Sequence, residues 1–114
     1  MRSRTLAYLV LMTITFTAGA GKTYTTQQLA AMVNSGNYPA EDPDKPVKND
    51  PEKFTVCKRN LQRMRSQVDP SYPVKTIVDS RRVYTLKFWM NDGVITATCS
   101  KPDGTVFMTS AGYK

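Results

Sequence analysis

The chain has 114 residues, two cysteines, no histidine and a formal net charge of +7. Without histidine, neither a Ser-His-Asp nor a Cys-His catalytic arrangement can form, and imidazole metal sites are excluded. The six glycines are dispersed and form neither a GxGxxG nor a phosphate-loop pattern, so no cofactor motif is present.

Taken in order, residues 1–20 read as a secretory signal peptide. Arg2 and Arg4 form a basic start, Leu6 to Thr17 a short apolar run, and Ala18-Gly19-Ala20 a small-residue cleavage site. The rival reading, a membrane anchor, needs roughly 20 apolar residues, and this run is shorter and carries Thr13, Thr15 and Thr17. No later segment is apolar enough to span. The expected location is therefore secreted or periplasmic, with residues 21–114 as a single small α+β domain. Fourteen basic residues then face nine acidic ones. That excess suits an acidic protein partner, an anionic polymer or a charged cell surface, and it also serves plain solubility. An oxidising compartment makes Cys57 and Cys99 a disulfide, worth roughly 4 kcal/mol by loop-closure entropy.

Thr25 or Thr26 caps a first helix with Leu29, Met32 and Val33 on one side, and Gly36 ends it. Residues 36–50 read as a linker: Pro39, Pro43 and Pro46 remove backbone donors, and charges are dense. Asp50-Pro51-Glu52 looks like the opening of a second helix, with Asp50 as cap and Pro51 in the first turn. Phe54, Cys57, Leu61, Met64 and Val68 follow at spacings that make one apolar stripe, and Asp69-Pro70 ends it. Lys58, Arg59, Arg63 and Arg65 lie on the opposite side.

Four strands are predicted next: Val74–Asp79, Val83–Met90, Val94–Cys99 and Thr105–Ser110. The second and third are joined at Asn91-Asp92-Gly93, where glycine is expected to supply a positive φ. A two-residue Asp92-Gly93 turn places Tyr84, Leu86, Phe88 and Met90 on the same side as Ile95, Ala97 and Cys99. A three-residue turn would put Cys99 with Trp89 instead. The first choice gives one coherent apolar face. Lys101-Pro102-Asp103-Gly104 reads as a type I turn with Gly104 left-handed. The expected architecture is α+β: two N-terminal helices followed by a four-stranded antiparallel meander, helix two packed on one sheet face, and one disulfide. In element order alone this is similar to small exported modules of the β-lactamase-inhibitor type.

Chemistry-bearing pairs are scarce. Asp79 and Asp92 could form a glycosidase-like acid pair, but Asp92 reads as a turn residue and Asp79 as a strand end. The expectation is a non-enzyme that binds a protein partner. Its contact surface would be the outer sheet face, with Trp89, Lys87, Thr85, Thr96 and Phe107, because exposed Trp on a Thr-rich sheet makes an interface anchor. The rival cover for Trp89 is helix one or the linker. The alternative function is binding of anionic cell-envelope material through Lys58, Arg59, Arg63, Arg65, Arg81 and Arg82. Nucleic acid is not expected, since this helix face carries no stacking aromatics.

Overall fold

The computed structural model describes residues 21–114; the signal peptide assigned to residues 1–20 lies outside them. Helix α1 spans Thr26–Ser35. Its start is a capping box: the Thr25 hydroxyl accepts from the Gln28 amide at 3.1 Å, and Gln28 Oε1 accepts from the Thr25 amide at 2.8 Å. Gly36 ends it at φ 80°, a left-handed conformation that favours glycine.

The stretch read as a linker contains a strand. β1, Lys45–Pro51, pairs antiparallel with the last strand of the chain, so the sheet has five strands rather than four. Two features hid it. Every residue of β1 is exposed, so no alternation marks it. It lies at the sheet edge, where ladder bonds form on one side only and Pro46 and Pro51 cost little. The same pairing corrects the start of the second helix. Pro51 lies opposite Thr105 in the ladder, and the Glu52 amide donates to the Gly104 carbonyl at 2.9 Å. Helix α2 therefore begins later, at Phe54–Val68, with Lys53 rather than Asp50 at its cap and no side-chain cap bond. The element order is helix, strand, helix, then four strands.

Those strands are β2 (Val74–Asp79), β3 (Val83–Met90), β4 (Gly93–Ser100) and β5 (Thr105–Gly112). The sheet order is β1-β5-β4-β3-β2, antiparallel throughout. The chain leaves β1 at one edge and resumes in β2 at the other, so α2 has to cross the whole sheet on the way. Its stripe meets Tyr84, Leu86, Phe88, Ala97 and Val106 in one core. The Cys57–Cys99 disulfide ties the helix to the middle of the sheet, with Cα atoms 5.8 Å apart. Both edge strands carry a bulge, at Val47 in β1 and Ile77 in β2. These are the two most exposed large apolar residues described, and bulges of this kind are a device against edge-to-edge pairing. Among the described residues, no helix is long and apolar enough to cross a membrane.

The β3–β4 register pairs Tyr84 with Cys99 and Leu86 with Ala97, so the apolar sets do share one face. The turn residues are nevertheless Asn91 and Asp92, because Gly93 already pairs with Met90. Gly93 is not among the positive-φ glycines, Gly36 and Gly104. Its role is close approach: a Cβ there would stand 2.5 Å from the Ala111 carbonyl oxygen of β5.

Candidate anion-binding cleft

The outer sheet face does not carry its expected anchor. Trp89, Lys87, Thr85, Thr96 and Phe107 share that face, but Trp89 is only 2% exposed. Leu29 and Val33 of α1 pack over it together with Val94 and Tyr113. Tyr38, from the proline-rich segment, stacks on the indole with ring centroids 5.4 Å apart and planes 15° apart. Helix one and the segment after it both act as cover. Thr85 is buried too, its hydroxyl 3.0 Å from that of Thr98. Lys87 and Thr96 are half-buried, and Lys87 pairs with Glu41 at 2.9 Å. Of the five, Phe107 alone is exposed, at 38%.

Tyr113 was not anticipated, and it closes this second core. It is fully buried, packs edge-on against Tyr24, and its hydroxyl donates to the Met90 carbonyl at 2.6 Å. Lys22 and Glu41 bridge to its backbone. Burial pushes its phenol well above the usual range, with the Glu41 and Asp92 carboxylates and Tyr24 adding to the effect.

The basic residues divide. Arg63 donates to Asn60 at 3.2 Å on the exposed side of α2, and Arg65 reaches along β2 to Thr76 and the Val74 carbonyl. Neither lines the cleft between α2 and β2. Lys58 and Arg59 project instead into this open cleft of about 740 Å³, between α2 and the end of β2. Phe54, Thr55 and Gln62 contribute from the helix, Asp79, Ser80 and Arg81 from β2 and its turn, and Lys101 from the β4–β5 turn. Arg82 borders a smaller hollow next door, again with Lys101.

Backbone bonds hold this end of the sheet in place. The Ser80 hydroxyl accepts from the Arg82 and Val83 amides at 3.2 and 3.0 Å, closing the β2–β3 turn. The Lys101 amide donates to the Arg82 carbonyl at 2.8 Å, joining that turn to the β4–β5 turn. Gly104, at φ 63°, lets the second turn fold back tightly. Inside the cleft, Lys58 Nζ lies 3.2 Å from Asp79 Oδ1 and 5.1 Å from the Tyr84 ring centroid. Four cations and one carboxylate therefore line the cleft, and the carboxylate is paired with Lys58. Lys101 is the member that sequence reading missed. Its place follows from the observed register: Val83 pairs with Ser100, so the next residue out sits beside Arg82, whereas the expected Asp92-Gly93 turn would have set Val83 opposite Pro102.

Set against known protein families, curated proteins and solved structures, the chain matches none.

Proposed function

We propose that this is a small exported, non-enzymatic binding protein that holds an anionic group of its partner in the cleft between α2 and β2. The observation that carries the reading is that Lys58, Arg59, Arg81 and Lys101, from three separate elements, line one cleft whose lining holds a single carboxylate, Asp79. Like charges do not gather on a folded surface without cost, and a cleft lined predominantly by one sign focuses its potential on an incoming counter-ion. Arginine forks add directional pairs of hydrogen bonds to carboxylate or phosphate oxygens. Export is supported by the leader pattern of residues 1–20 and by the disulfide.

The outer face supports a second, smaller reading. Phe107 and Val78, each 38% exposed, lie in one row across the sheet through Thr98 and Thr85. A protein contact there would be apolar. Binding of poly-L-glutamate and of heparin, followed by fluorescence anisotropy as salt rises from about 50 to about 200 mM, separates the two. Cleft binding falls steeply with salt and drops by about tenfold or more in the Arg59→Ser/Arg81→Ser double variant. Salt-insensitive binding that survives in that variant and is lost in Phe107→Ser would move the contact to the outer face.

A further inference from the structure

Resting on the anion-binding reading, a narrower conclusion follows about what the cleft takes. We infer that its ligand is an acidic protein segment, and that Asp79 occupies the place of one of that segment's carboxylates.

Asp79 is the last residue of β2 and pairs with Tyr84, so its carboxylate enters the cleft from a fixed backbone position. Its bond to Lys58 is an exposed ion pair, with the two side chains 32% and 58% accessible. Pairs of this kind contribute little to folding and exchange readily with a competing carboxylate. The other cations of the cleft, Arg59, Arg81 and Lys101, make no ion pair among the described residues. The resting site thus has one anion position filled from within and three cations left over for the groups around it.

A long phosphate or sulfate polymer fits these features less well. The positive surface is interrupted: Asp103 lies two residues from Lys101 on the same turn, and Glu52 lies two residues before Phe54, where α2 begins. Both carboxylates are held in place, Asp103 by the Ser100 hydroxyl at 3.0 Å and Glu52 by the Asn60 amide at 2.8 Å. They repel a continuous polyanion and leave room for a few discrete charges. The half-buried Phe54 adds an apolar wall, which an acidic segment can meet with an apolar side chain between its carboxylates.

The test uses an acetylated, amidated Glu-Glu-Phe-Glu-Glu peptide, titrated into protein labelled with 13C and 15N and followed by NMR and calorimetry. Wild type, Asp79→Asn, Asp103→Asn and Lys58→Met are compared, with a heparin tetrasaccharide as second probe. Removing the internal competitor in Asp79→Asn tightens peptide binding by about fivefold or more, whereas Asp103→Asn changes it by less than about twofold. In wild type the Asp79 carboxyl carbon shifts on peptide addition toward its position in Lys58→Met, reporting release from the lysine. Unchanged or weaker peptide binding in Asp79→Asn overturns the inference. So does a tetrasaccharide that binds the same residues while the peptide does not, an outcome that leaves the anion-binding reading standing. Failure of both probes to shift the cleft's signals removes both.

Discussion

Trp89 and Tyr113 are the two largest fully buried side chains, and both lie in the smaller core under α1. The indole Nε1 has no acceptor among the described residues, so Trp89 stays there for its area and its stacking on Tyr38 rather than for a hydrogen bond. Its emission should be blue-shifted and resist quenching by acrylamide, which makes it a reporter of this core. Tyr113 gives that core a pH limit. Its phenol ionises in the unfolded chain near the ordinary value of about 10 but stays protonated to higher pH when folded. Above that value the unfolded state binds fewer protons than the native one. Stability contributed by the neutral buried phenol is complete below about pH 10 and is then lost at up to ~1.4 kcal/mol per pH unit. Urea unfolding followed by Trp89 fluorescence at rising alkaline pH should show this slope. In Tyr113→Phe the slope should be shallower, at a cost near 1 kcal/mol for the hydrogen bond to Met90.

At the level of elements, α2 illustrates how a helix is held by packing when its cap is weak. No side chain caps its start, and its buried face consists of Cys57 and Leu61 with Phe54, Met64 and Val68 partly covered. Leu61→Ala should destabilise by roughly 2–4 kcal/mol, since the site is closed by the sheet. Arg63→Ala, which loses only an exposed bond to Asn60, should fall within about ±0.5 kcal/mol of neutral. Equal costs in denaturant titrations would mean that the helix faces are reversed. The edge strands show the opposite economy. β1 and β2 bury almost nothing and carry their bulges and charges outward, so they finish the sheet without specifying it.

For the molecule as a whole, two thin cores flank one sheet, and a domain of this size buries too little surface to be generously stable. The disulfide joins α2 to the central strand β4 and so secures the larger core. Replacing both cysteines by alanine should cost about 2–5 kcal/mol in urea unfolding, and native protein should show no thiol accessible to alkylation. The same layout exposes the cleft. The end of the sheet where the β2–β3 and β4–β5 turns meet lies beside the first turns of α2, and Lys58, Arg59, Arg81 and Lys101 gather there.

Local patterns alone determined the capped α1, the apolar stripe of α2, the turn at Gly104 and the spans of β2 and β3, whereas the β3–β4 register decided that Leu86, Phe88, Ala97 and Cys99 share one face. Each of those local features depends on a period or a cap written in neighbouring residues. Tertiary structure decided what no neighbour specifies. β1 exists because β5 offers it a free edge, not because Lys45–Pro51 has a strand-like pattern. Trp89 is buried because α1, Tyr38 and Tyr113 arrive from both ends of the described chain. Six basic residues looked alike on the helix and the β2–β3 turn. The side of α2 and the meeting of two turns place Lys58, Arg59 and Arg81 in one cleft, add Lys101 and send Arg63 and Arg65 elsewhere. A charge has no period of its own, so only the packing of the backbone beneath it settles which charges become neighbours.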